Sequence, residues 1–221
     1  MNAVTLTLDF RQLRAMRTFT SSNDKRRSIC GIHIMTRRTE SLLMATDGKR
    51  AAFLLVDKAD GQVAFTIPND LLDRFIEQHR TQRVAVNRIG SVSLRLEGDP
   101  ENRRMLDGTV YLNSKHVTNF MGRESEDAFP NWKGIVPTKN QRLSMGCFSI
   151  SGIAHFNHVA EMLSDTWYGP WPVLAVPFST PDGYGFEVYI KGVPNFYGLL
   201  MGHVGDRIER PEWLRDRLEF Y

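Results

Sequence analysis

One order of apolar and polar residues recurs three times along this 221-residue chain, and that recurrence constrains the fold more than any single motif. In the first pass Val4, Leu6 and Leu8 alternate with Thr5 and Thr7, and a period of two predicts a half-buried strand. Asp9 follows as a helix cap. The helix after it puts Phe10, Leu13, Met16 and Arg17 near one another and Arg11 and Arg14 on the other side. A polar loop, Ser21-Ser22-Asn23-Asp24, leads into a strand over 28–36. Next comes a hairpin over 41–56, whose apolar runs flank Asp47-Gly48, a dipeptide that tolerates positive φ.

The second pass has a strand over 62–67, with Pro68-Asn69 as stop and cap and Asp70 in the first turn of a helix, where the helix dipole favours a carboxylate. Leu72, Phe75, Ile76 and His79 form that helix's apolar stripe, while Asp73, Arg74, Glu77 and Arg80 face away. Strands over 83–89, 91–97 and 105–112 complete it. The third pass has a strand over 142–150, a helix capped by Ser151 with Ile153, Phe156, Ala160 and Leu163 at helical spacing, and strands over 171–178, 184–190 and 196–204. Pro170, Pro172 and Pro177 assign the first of these strands to a sheet edge. Repeated β-α-β-β-β units predict an α+β fold with helices on one face of antiparallel sheets.

A content of 42% hydrophobic and 24% charged residues is enough to build a packed core. No apolar run spans a bilayer and the first ten residues lack the pattern of a secretion signal, so a cytoplasmic protein without a membrane partner is expected. Cys30 and Cys147 sit in apolar stretches without ligand spacing, which predicts buried reduced thiols. The net charge of +3 is unevenly spread: Arg11, Arg14, Arg17, Lys25, Arg26, Arg27, Arg37 and Arg38 crowd the first forty residues. They form either a site for an anionic partner or a solvated basic face. His155, His158 and Glu161 share a helix but lack metal-site spacing and a second ligand cluster, and neither a nucleophile elbow nor a phosphate-cradling glycine loop occurs. No catalytic residue, metal or cofactor is therefore expected, and the chain does not read as an enzyme.

The run Ala45-Thr46-Asp47-Gly48-Lys49-Arg50-Ala51-Ala52 resembles the signature of the middle domain of bacterial beta sliding clamps, the ring-shaped processivity factors of replicative DNA polymerases. The segment from Phe129-Pro130 to Pro137 is similar to the one leading out of that domain. The resemblance implies a DNA-clamp-like fold of paired units, helices lining a hole and sheets outside. Residues 1–125 then look like a complete clamp domain, 126–141 a connector, and 142–221 a half domain ending in a helical tail in which Trp213, Leu214, Leu218 and Tyr221 share an apolar face.

The same resemblance implies a polymerase processivity factor with three kinds of partner: duplex DNA, DNA polymerase or other clamp-binding proteins, and further copies of the chain as a homo-oligomer. Its partner-peptide groove would be formed by Ile29, Thr46, Gly48, Lys49, Arg50, Ala51 and Pro137. Lys49 stands where the family has histidine, and Ala51 is a small wall residue. The family's far wall comes from a fourth unit without counterpart here, so a groove lacking that wall is expected. DNA-facing cations would be Arg11, Arg14, Arg17, Lys25, Arg26 and Arg27, with Arg74 and Arg80 on the second helix. The alternative is a clamp-fold binding or regulatory module that closes no ring, a decoy or inhibitor of clamp interactions.

Overall fold

The computed structural model describes residues 4–23, 25–36, 39–62, 64–80, 91–98, 105–112, 115–123, 129–130, 136, 150–164, 173–180 and 183–202. Strand β1 (Val4–Asp9) runs into helix α1 (Phe10–Arg17) through a capping box. The Arg11 N–H donates to Asp9 Oδ1 at 2.8 Å, and the Asp9 N–H donates to Gln12 Oε1 at 2.9 Å. These bonds satisfy amide groups that have no partner inside a helix's first turn. A 3₁₀ turn (Arg27–Ile29) then precedes β2 (Gly31–Thr36), β3 (Ser41–Thr46) and β4 (Arg50–Val56).

Strand β5 (Ala64–Pro68) and helix α2 (Asn69–Arg80) open the second unit, which continues with β6 (Ser91–Gly98), β7 (Met105–Leu112) and β8 (Lys115–Arg123). The third contains α3 (Ile150–Leu163), β9 (Val173–Thr180), β10 (Gly183–Ile190) and β11 (Phe196–Met201).

The units exchange their first strands. A four-stranded antiparallel sheet has the order β1-β6-β7-β8, and a seven-stranded one has β5-β2-β3-β4-β11-β10-β9. Thus β1 of the first unit completes the sheet of the second, while β5 of the second pairs with β2 of the first. The third unit joins the first through β11, whose Phe196, Gly198 and Leu200 lie opposite Leu54, Ala52 and Arg50 of β4. Because side chains alternate across a strand, each of these strands presents two distinct faces. Leu43, Ala45, Ala52, Leu54, Phe196 and Leu200 point to the side on which the helices pack, within one buried cluster that also holds Leu6, Leu13, Phe75 and Phe156. Each large apolar side chain buried there contributes about 1.5–3 kcal/mol.

Helix α3 settles on the β4–β11 joint because two glycines let it approach. A Cβ added to Gly198 would lie 2.4 Å from the Phe156 ring, and one added to Gly152 would lie 2.7 Å from a Leu200 methyl. The Phe156 ring fits beside Phe19 and Phe196, at centroid distances of 5.2 and 6.3 Å. Helices α1 and α2 are tied by an edge-on Phe10–Phe75 contact of 5.4 Å and by the Arg17–Asp73 ion pair at 2.6 Å.

Several expectations need correction. Residues 27–29 form, instead of the start of a strand, a 3₁₀ turn in which the Ile29 and Cys30 N–H groups donate to the Arg26 and Arg27 carbonyls at 3.1 Å each. Strand β8 carries no expected counterpart, and the strand anticipated over 83–89 lies outside the described residues. Helix α3 begins at Ile150, so Ser151 is inside the helix and not its cap. Ile153 is 42% exposed, and the inward stripe is Gly152, Phe156, Val159 and Ala160. Cys30 is half-buried, with its Sγ within reach of the Asn23 and Arg26 carbonyls at 3.1 and 3.2 Å. Strand β9 does stand at the end of its sheet. Of the strand expected over 142–150, Ile150 is helical instead and residues 142–149, with Cys147, lie outside the described residues, as does the helical tail from Pro211. No helix among the described residues is long and apolar enough to cross a membrane.

Candidate functional site

The outer face of the seven-stranded sheet, away from the helices, carries a cleft of about 480 Å³ built around the β3–β4 turn. Asp47 shapes that turn. Its Oδ1 accepts the Lys49 and Arg50 N–H groups at 2.8 Å each, and its Oδ2 accepts two bonds from the Arg50 guanidinium at 2.9 and 2.6 Å. Burial raises the Asp47 pKa, but the two backbone N–H groups and the Arg50 charge outweigh it and hold the carboxyl below its ordinary value. Gly48 has φ +87°, a left-handed conformation that glycine adopts without strain. Thr46 closes the arrangement: its hydroxyl donates to the Arg50 carbonyl at 2.7 Å and accepts the Gly48 N–H at 3.1 Å.

Around this turn the fold gathers Ile29, Thr46, Gly48, Lys49, Arg50 and Ala51 into one cleft. Pro137 lies outside the described residues. Leu199 and Met201 of β11, from the third unit and not from a fourth, also line the cleft. Leu199 is cross-strand from Ala51, and the Met201 N–H donates to the Lys49 carbonyl at 2.8 Å, so the wall is held by the sheet itself. Pro130 borders the cleft, held there by its neighbour Phe129, which stacks on His33 at 5.0 Å. His33 Nδ1 lies 3.0 Å from Thr66 Oγ1, and burial lowers its pKa, which favours the neutral form of the stacked ring. Leu199, Met201 and His33 carried no signal in the sequence that marked them for this site.

The basic residues divide. Lys25, Arg26 and Arg27 are exposed and line the cleft rather than α1, with Arg26 over Gly48: a Cβ there would meet its Nη1 at 2.9 Å. On the helices, Arg11 pairs with Asp9 at 2.7 Å, Arg17 with Asp73, and Arg74 with Asp70 at 3.2 Å. Arg14 is exposed, while the Arg80 side chain, Arg37 and Arg38 lie outside the description. His155, His158 and Glu161 do not converge. His155 Nε2 lies 2.9 Å from Thr18 Oγ1 at the end of α1, whereas His158 approaches Glu161 at 3.5 Å. Burial, then the Arg50 charge, push the His155 pKa down to about 4, against smaller opposition from Asp47.

The same fold occurs in solved structures. The DNA polymerase III subunit beta of Pseudomonas aeruginosa aligns over 90% of this chain and 66% of its own length, with a TM-score of 0.52 and 12% identity. The fold is that of the bacterial sliding clamps. The Borrelia burgdorferi beta subunit aligns over 91% of this chain with a TM-score of 0.56 and 10% identity, and that of Thermotoga maritima over 92% with 0.51 and 11%. The chain spans less than two thirds of the length of these clamps, 63% to 66%. No protein-family model matches the sequence, and no curated protein does.

Proposed function

We propose that this chain is a non-enzymatic, clamp-like processivity factor that tethers a DNA polymerase or another partner through a peptide seated in the Ala51–Leu199 cleft. The supporting observation is the meeting of the β3–β4 turn, Ile29 and β11 in one concave site. A peptide lying in a shallow groove needs accessible glycine backbone, an apolar floor and a polar rim. Gly48, the floor of Ile29, Ala51 and Leu199, and the rim of Lys25, Arg26 and Lys49 supply them. Association with duplex DNA would rest on Arg14 and its neighbours, without base contacts, and would weaken steeply with salt. Self-association would enclose the duplex.

Titration of a labelled clamp-binding peptide tests the groove. Saturable binding that is lost on Leu199→Asp supports it, and absence of binding to the wild type overturns it. Joint charge reversal at Arg11 and Arg14 on α1 should abolish duplex binding at low salt, and retained affinity would remove DNA from the assignment.

A second reading has its own support. Arg11, Arg17 and Arg74 are engaged in ion pairs, and α3 contains neither Lys nor Arg, so little unpaired positive charge faces outward from the described helices. That favours a module that captures clamp-binding peptides without encircling DNA. A monomeric mass in solution together with peptide binding and no duplex binding selects it. A ring-sized oligomer selects the first reading.

A further inference from the structure

One step along the β4–β11 ladder lies a second cleft of about 460 Å³, lined by Met35, Leu42, Phe53, Leu55, Tyr189 and Tyr197 among others. Leu55 and Tyr189 are 40% and 39% exposed, so apolar surface is grouped in a concavity instead of scattered. The aromatic wall is fixed in place. The Tyr197 and Tyr189 hydroxyls both donate to Glu187 Oε1, at 2.9 and 3.3 Å, and their rings meet edge-on at 5.6 Å. Burial, reinforced by the Glu187 carboxylate, pushes the Tyr197 hydroxyl up, so it remains a neutral donor. Walls already held in position lose little freedom when a ligand arrives.

The two clefts share one ladder. Ala51 opposite Leu199 floors the first, and Phe53 opposite Tyr197 floors the second. These pairs are two residues apart along each strand, about 7 Å, the same spacing as alternate side chains of an extended peptide. The connector borders both, with Pro130 at the first and Val136 at the second. Their charges are opposite. Lys25, Arg26, Arg27 and Lys49 surround the first cleft, whereas Glu40 is the charged residue among the described lining of the second.

We propose that a single extended partner segment occupies both clefts, with an acidic stretch beside Lys25, Arg26 and Lys49, an aliphatic anchor over Ala51 and Leu199, an aromatic or leucine anchor between Leu55 and Tyr197, and a basic end beside Glu40. This rests on the groove reading above and adds to it a second anchor and a charge order. Binding along alternating pockets uses extended backbone for reach and side chains for selection.

The test compares a long labelled peptide carrying both anchors and both charged ends with a truncated one that reaches the first cleft alone. The long peptide should bind the wild-type chain about tenfold more tightly or better. Leu55→Ser, a change at an exposed side chain, should erase that advantage and leave the short peptide's affinity unchanged. Glu40→Lys should weaken the long peptide and be rescued when its basic end is replaced by glutamates. Equal affinity of long and short peptides for the wild type, or indifference of the long peptide to both substitutions, overturns the second site while leaving the first intact. Failure of both peptides overturns the groove reading and this one with it.

Discussion

The two faces of the β4–β11 joint are built from the same strands and do opposite things. On the helix side, Gly198 and Gly152 are so closely covered by Phe156 and Leu200 that even a methyl group would collide. On the outer side, Ala51 and Leu199 are just as buried as residues, yet a small alanine opposite a leucine, edged by the β3–β4 turn, leaves open volume. The inner face spends its small residues on close approach of a helix. The outer face uses one to make room. The same residue size has opposite effects depending on what the opposing layer supplies, and among the described residues only the inner face has a helix to fill the space.

If the contrast holds, substitutions on the inner face should cost stability and those on the outer face should cost binding. Phe156→Ala removes a fully buried ring that touches Phe19 and Phe196, and should destabilise the protein by about 3–5 kcal/mol in denaturant unfolding. Gly198→Ala overpacks the same spot and should cost about 1–3 kcal/mol. Combining it with Phe156→Leu should cost less than the sum of the single changes, because the two sites share one space. Strict additivity would show that the ring does not set the approach of α3.

Gly48→Ala comes next in size. Its left-handed φ makes a side chain strained, at about 1 kcal/mol or somewhat more, and the turn carries Thr46 and Lys49 with it. Unfolding and peptide titration together should show a modest loss of stability and a larger loss of affinity. An unchanged affinity would detach the cleft from the turn.

An effect that shows only in acid is the pH dependence of the inner contact between α1 and α3. His155 is half-buried and its pKa is lowered from 6.5 to about 4, so the unfolded chain takes up a proton between those values that the folded chain refuses. Its contribution to stability is present above pH 6.5 and is lost as the pH falls toward 4. His155→Gln should flatten that part of the stability profile, and a profile identical to wild type would mean that the ring stays solvated.

What the sequence revealed was local chemistry. Asp9 before an apolar stripe announced α1, and Asp47-Gly48 between apolar runs announced the hairpin, because caps and turns are decided by neighbours in the chain. The helix of the third unit was found with its phase only half right: the spacing that picked Phe156 and Ala160 also picked Ile153, since periodicity alone does not say that Gly152 faces Leu200. Strand β8 escaped because Asn119 and Gly122 interrupt its apolar pattern, and its place is set by pairing with β7. The exchange of β1 and β5 between sheets, and the placement of Leu199 and Met201 opposite the turn, depend on pairing between distant residues. The hairpin half of the cleft was therefore legible through its resemblance to clamps, and the β11 half was not.

The joint between β4 and β11 also has a temporal meaning. Asn195 bonds to Leu55, 140 positions away in sequence, by its side chain at 2.8 Å and by its carbonyl at 3.0 Å. During synthesis, which proceeds at about 5–20 residues per second, the turn that begins the cleft emerges well before the strand that finishes it. The nascent chain thus exposes one wall of the cleft before the other exists. The cleft is complete only once the ribosome has delivered β11, which makes its closed form a report that the sheet has been assembled across its full span.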